Sequence, residues 1–275
     1  MDTTTTNAEW PSRLADPSGR RQAKPRATGR TMVIDKGLGL RAFADLLDTS
    51  GDCIDIVKFG FGTSAIFPPA LLRAKIELAS KHGIVVIPGG TLLEAAYNQD
   101  LVPAFFRQVL SIGFGGIEVS DGTIALGRRE RDNLIRDGVS FGLKVYTEYG
   151  KKLFGSRIDV EEFAATAERD WECGAELVTV EARESGVGVG LFDESGRCRE
   201  AELAYMAAAV PRLDRVLWEA PLKDQQVSLI KALGPDVNLG NVSVHDVVSL
   251  ETMRRGLRSD TFDLHRAAYV ADYMI

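Results

Sequence analysis

From Thr31 onward, short apolar runs rich in β-branched residues alternate with longer stretches of helical hydrophobic spacing. The runs fall at 31–35, 54–58, 84–88, 116–120, 143–148, 177–181, 215–219 and 236–239. They recur at roughly 30 residues, the length of a strand–helix unit. Most are apolar along their length, as expected of strands covered on both faces. Strands alternating with helices predict a parallel sheet. Eight such units close into a (β/α)8 TIM barrel, the fold class expected for this chain. A doubly wound open sheet is the second architecture. It needs a glycine fingerprint after the first strand, and Gly37-Leu38-Gly39 lacks the GxGxxG spacing.

Punctuation between the runs supports the same reading. Pro68-Pro69 opens a helix that ends at Gly83. Thr91 to Glu94 and Asp159 to Glu162 both have capping-box spacing. Gly51, Gly83, Gly113, Gly142, Gly174 and Gly234 stand where helix C-terminal glycines are expected. Pro103 splits the third helical stretch in two.

Composition divides the chain into three parts. Residues 1–24 contain four consecutive threonines, Pro11, Pro17 and the bases Arg20, Arg21 and Lys24, with little apolar content. Such a segment cannot offset its own ordering entropy, so a disordered N-terminal arm is expected. Residues 25–262 form the barrel. Residues 263–275 carry Leu264, Ala267, Ala268, Tyr269, Val270, Tyr273, Met274 and Ile275, enough to pack on the barrel or on a neighbouring subunit. The net charge of −6 argues against nucleic acid as a partner. Cys53, Cys173 and Cys198 show neither CxxC spacing nor an even number, which fits a reducing cytoplasm. No apolar run approaches the ~20 residues of a membrane span, and no secretory h-region opens the chain.

The polar residues fall at the strand ends, where barrel active sites lie. Asp35-Lys36 ends the first run and Lys58 the second. Glu118 to Gly122 follow the fourth, and Glu148 with Lys151-Lys152 the fifth. Glu181, Arg183, Glu184 and Ser185 follow the sixth, Glu219 and Lys223 the seventh, and Asn238 and Asn241 the eighth. Several carboxylates among several cations fit a divalent cation, Mg²⁺, beside a polyanionic substrate. His82, His245 and His265 are all away from strand ends, so lysine is the candidate for proton transfer. Gly89-Gly90 before a helix N-terminus suits an oxyanion. The glycine-rich stretch 184–190 reads equally as an oxyanion cradle or a plain loop.

A series of segments in order carries a family resemblance: Thr31 to Leu38, Asp55 to Ser64, Pro88 to Leu92, Glu118 to Gly122, Thr147 to Lys152, Glu181 to Gly186, Glu219-Ala220-Pro221, Val237 to Asn241 and Leu250 to Arg258. Across roughly residues 24–262 the chain resembles the phosphosulfolactate synthase family, which also includes heat-stress-associated plant proteins. The resemblance implies a (β/α)8 barrel, a homo-oligomer, and Mg²⁺-dependent addition of sulfite to phosphoenolpyruvate. The product is 2-phospho-3-sulfolactate, a precursor in coenzyme M biosynthesis or sulfolactate formation. By resemblance Lys152 is the proton donor, with Lys151 as the alternative. Glu148 and Glu181 are implied metal ligands, with Asp35 as a third. Lys36, Lys58, Arg183, Ser185, Lys223, Asn241 and the backbone at Gly89 and Gly90 would hold the anionic groups. Arg254, Arg255 and Arg258 are read as a solvated or subunit-contacting helix face.

Three positions depart from the family pattern. Leu222 replaces a glutamine, Asp224 a serine and Ser259 a glycine. If Leu222 or Asp224 faces the pocket, the nucleophile changes or anion binding weakens. Two other functions therefore stand beside the synthase: a Schiff-base lyase on the same fold, using a desolvated lysine, and a non-catalytic stress-associated role.

Overall fold

The computed structural model describes residues 10–263 of the 275-residue chain. Its eight strands are β1 Thr31–Asp35, β2 Ile56–Phe59, β3 Val85–Ile87, β4 Gly116–Val119, β5 Lys144–Tyr149, β6 Leu177–Val180, β7 Val216–Glu219 and β8 Asn238–Ser243. All pair in parallel, in the order β3-β2-β1-β8-β7-β6-β5-β4. The first strand pairs with the last, which an open doubly wound sheet does not allow. At the remaining seam Gly115 N donates to Val86 O at 3.2 Å, so the (β/α)8 barrel is nearly closed.

Around it lie α1 Ser12–Ala15, α2 Leu40–Ser50, α3 Pro69–Lys81, α4 Gly90–Asn98, α5 Val102–Ile112, α6 Arg128–Ser140, α7 Val160–Cys173, α8 Glu200–Ala209, α9 Lys223–Leu233 and α10 Val247–Arg254. Strand period two sorts the side chains. Met32, Ile56, Ile87, Tyr146, Leu177 and Leu217 fill the barrel interior. Val33, Val57, Val86, Ile117, Val145 and Val178 face outward, in one continuous core with the helices.

Most helix signals act where they were expected. Pro68 precedes α3, Pro103 sits in the first turn of α5, and Asp159 accepts from Glu162 N at 2.9 Å. Thr91 is an exception. The helix α4 begins at Gly90 without a side-chain cap, and Glu94 turns its carboxylate toward Ser120, Gly122 and Thr123 instead.

Part of the N-terminal segment is anchored at the bottom of the barrel, the end opposite the strand C-termini, by polar contacts of Ala15, Arg21 and Lys24. Arg21 Nε pairs with Glu251 at 2.9 Å. Lys24 Nζ donates to the carbonyls of Gly51, Ile54 and His82 at 2.9, 2.7 and 2.6 Å. Gly51 O also accepts from Ile54 N at 3.2 Å, and an ammonium is well suited to such chain-end carbonyls. Polar anchoring of this kind leaves no apolar pattern to read. Residues 1–9, and the tail expected to pack from 264 onward, lie outside the described residues.

Arg254 corrects the reading of the last helix. It is 1% exposed and donates to the carbonyls of Pro235, Val237 and Arg30, so this part of the helix face is buried. Among the described residues no helix is long and apolar enough to cross a membrane.

Candidate active site

The inward parity that buries Ile56 and Tyr146 also aims the next inward position on each strand at the barrel mouth. Lys58 on β2, Glu118 on β4, Glu148 on β5, Glu181 just past β6 and Glu219 on β7 occupy those positions. All five are at most 5% exposed. They line a cavity of about 470 Å³ at the C-terminal end of the strands, where barrel enzymes place their chemistry.

Lys58 Nζ stands 2.9 Å from Glu219, 3.2 Å from Glu118 and 3.6 Å from Glu148. Lys152 Nζ stands 2.8 Å from Glu148 Oε1 and 3.5 Å from Glu181 Oε2. The carboxylates are fixed by backbone donors: Gly90 N to Glu118 at 2.8 Å, Ala182 N to Glu219 at 3.0 Å and Arg183 N to Glu181 at 2.6 Å.

Four carboxylates crowd two ammonium groups, and the titration behaviour follows. Burial would lower Lys58, but Glu118, Glu219 and Glu148 outweigh it and raise the ammonium well above its ordinary value. Lys152 is raised in the same way against burial, by Glu148 and Glu181. Burial would raise Glu148, but Lys152 and Lys58 hold it below the ordinary carboxylate range. Glu181 is pushed well above that range by burial and by the like charges of Glu148 and Glu219.

This arrangement fits a divalent cation. Glu148, Glu181 and Glu219 offer oxygens that all lie within 4.8 Å of one another. The donors are hard oxygens, the kind Mg²⁺ prefers. Added positive charge would relieve the repulsion that raises Glu181.

Lys152, Lys58, Glu148, Glu181, Gly89, Gly90, Arg183, Ser185 and Asn241, singled out from sequence, all line the cavity. Asp35 does not. Its parity is outward: it is fully buried against Lys75 of α3 and accepts from Gly37 N and Leu38 N, both at 2.8 Å. It is no metal ligand here. Lys223 pairs with Asp260 at 2.8 Å outside the cavity. Lys151 is tied to Asp121 Oδ2 at 2.9 Å and to the carbonyls of Asp121 and Ile124, facing away from the carboxylates. Lys36 pairs with Glu184 at the rim and does not itself line the cavity. Gly90 N is spent on Glu118 and so is not a free oxyanion donor. Lys58 is likewise saturated by acids.

Two residues named among the strand ends were given no role from sequence, Glu118 and Glu219. Strand parity was the signal: Glu219 lies two positions beyond the inward Leu217, and Glu118 sits between the outward Ile117 and Val119. The glycine-rich stretch proves to be a packed loop. Gly188 N donates to Asp193 O and Gly190 N to Ser156 O, at 2.8 and 3.1 Å. A Cβ at Gly188 would stand 2.3 Å from the Phe154 ring. Leu222 and Asp224 do not line the cavity. His82 and His245 are also outside it, and His265 lies outside the described residues.

Comparison with known proteins finds relatives over most of the chain. Residues 19–260 match the family model described as (2R)-phospho-3-sulfolactate synthase (ComA). The chain is 42% identical to a phosphosulfolactate synthase of Methanocaldococcus jannaschii, over 85% of this chain and 94% of that one. It is 40% identical to that of Bacillus subtilis, over 89% and 96%. Among solved structures, the YdjI aldolase of Escherichia coli K12 superposes with a TM-score of 0.53 at 13% identity, covering 87% of this chain and 85% of that one. At that identity the likeness concerns the fold alone.

Proposed function

The chain belongs to the phosphosulfolactate synthase family, and from that premise we propose that it joins sulfite to phosphoenolpyruvate in a Mg²⁺-dependent reaction giving (2R)-2-phospho-3-sulfolactate. The observation that carries the reading is the buried cluster of Glu148, Glu181 and Glu219 beside Lys152, at the mouth of the barrel.

The sulfite sulfur uses its lone pair to form a bond to the methylene carbon of phosphoenolpyruvate. The double-bond electrons move onto the substrate carboxylate, and a proton must then reach the phosphate-bearing carbon. Lys152 Nζ, held as an ammonium and partly open to the cavity, is the donor. Its position on one side of the cavity sets the configuration at that carbon. Arg183, Ser185 and Asn241 line the rim and bind the phosphate and sulfonate oxygens. Lys58 holds Glu118, Glu148 and Glu219 in place. Glu148, Glu181 and Glu219 would hold the cation. When bound, it supplies positive charge opposite the substrate carboxylate and lowers the net negative charge of the cluster.

A Schiff-base lyase needs a neutral lysine amine. Lys58 and Lys152 are both kept charged by carboxylates, which leaves neither with a free amine to attack a carbonyl. Leu222 and Asp224, which had left room for another nucleophile, are away from the cavity.

The test is a product assay. Purified protein is incubated with phosphoenolpyruvate, sulfite and Mg²⁺, and the sulfite adduct is sought by mass spectrometry. Adduct formation that EDTA abolishes supports the reading. No adduct, with phosphoenolpyruvate still raising the melting temperature, assigns the pocket to another nucleophile. Absence of both effects favours a non-catalytic role.

A further inference from the structure

The side chain of Glu94, on α4, is 2% exposed and forms no ion pair among the described residues. It accepts four hydrogen bonds from the loop after β4: Ser120 Oγ, Gly122 N at 3.0 Å, Thr123 N at 3.2 Å and Thr123 Oγ1. Burying a polar group costs much unless it is hydrogen-bonded, and four donors meet that need here.

That loop is the floor under Lys152. Gly122 O accepts from Lys152 N at 3.2 Å. A Cβ on Gly122 would stand 3.0 Å from Lys152 Cγ, Cδ and Cε, so the lysine stem lies flat on this glycine. Thr123, fixed twice by Glu94, lines the cavity itself. The same helix start fixes the neighbouring acid, through Gly90 N to Glu118.

We propose that Glu94 is a positioning residue: by clamping residues 120–123 it fixes the stem of Lys152 and thus the reach of its ammonium to the reacting carbon. The proposal rests on the synthase reading for its catalytic consequence, while the clamp is a property of the fold. Glu94 touches no substrate. Its effect is on turnover, because the proton donor must meet the carbon at a set distance. A misplacement of about 1 Å can cost on the order of 100-fold in rate.

The test compares wild type, Glu94→Gln and Ser120→Ala by two readouts. The amide of Glu94→Gln can accept at one oxygen only, so its NH2 faces either Gly122 N or Thr123 N, depending on which carboxylate oxygen it replaces. Ser120→Ala removes one donor of the four and keeps the variant set informative if Glu94→Gln fails to fold. Hydrogen–deuterium exchange is followed over peptides covering 120–124 and 150–154. Faster exchange in both, with the barrel strands unchanged, is the expected result; unchanged exchange in a folded Glu94→Gln overturns the clamp whatever the activity. Kinetically, kcat is expected to fall about 10- to 100-fold, with KM for phosphoenolpyruvate unchanged. A raised KM with kcat intact assigns Glu94 to substrate binding and overturns the proposal. If wild type forms no sulfite adduct, the synthase reading fails, and the exchange data still decide the clamp.

Discussion

Lys152 and Lys75 show how position decides what a lysine does. Lys152 lies among carboxylates at an open mouth, where an ammonium can reach substrate. Lys152→Ala is expected to lower kcat by about 10²- to 10⁴-fold, the usual range for a general acid, with the fold surviving. Full turnover in that variant removes Lys152 from the mechanism. Lys75 is fully buried, paired with Asp35, and stacked over the rings of Phe43, Phe59 and Phe67 at 4.7, 4.9 and 5.1 Å. Lys75→Ala leaves Asp35 buried without its cation, which costs about 3–5 kcal/mol. Urea unfolding checks it, and a loss below 1 kcal/mol would make the pair dispensable. Sequence alone distinguished these lysines only in part. The motif around Lys152 is legible, and Lys75 drew no notice inside an amphipathic helix. Asp35, implied as a ligand by the resemblance, is turned away by parity: Met32 and Ile34 point inward, so Asp35 points out.

At the scale of elements, strands and helix punctuation were legible because burial on both faces and cap chemistry leave local marks. The N-terminal segment and the true start of α4 were not, because both depend on partners far along the chain. The fit of α4 against β4 is tight. A Cβ at Gly90 would stand 2.5 Å from Ser120 Oγ and 3.2 Å from Glu118 Oε2. Gly90→Ala therefore overpacks this contact, at a cost of about 1–3 kcal/mol, and shifts Glu118. The expected outcome is reduced stability together with weaker Mg²⁺-dependent turnover. A variant as stable and active as wild type would mean the helix can slide away freely.

For the molecule as a whole, the two ends of the barrel carry different duties. The bottom is sealed by Arg21, Lys24, Arg26, Arg30 and Arg254, whose partners are Glu251, Asp55, Glu176 and backbone carbonyls. The mouth keeps an excess of acids. Stability toward acid is expected to depend on the bottom. Burial would raise the Glu251 carboxyl, but Arg21 and Arg255 outweigh it and hold it below its ordinary value. A depressed carboxyl stabilises the fold above its unfolded pKa of about 4.3, and that contribution is lost as pH falls through the folded value. Glu251→Gln should thus be less stable than wild type at neutral pH and converge with it in acid. A constant gap between the two across that range would refute the linkage.

The pairing of β1 with β8 has a consequence for synthesis at the ribosome. Lys58 emerges early, but its partners Glu118, Glu148 and Glu219 arrive over the next 161 residues, and the strand that closes the ring comes later still. No N-terminal fragment can bury that ammonium with its full complement of charge. Assembly of the pocket and completion of the barrel are therefore one event, and a chain released early carries an exposed half-ring instead of a partly working enzyme.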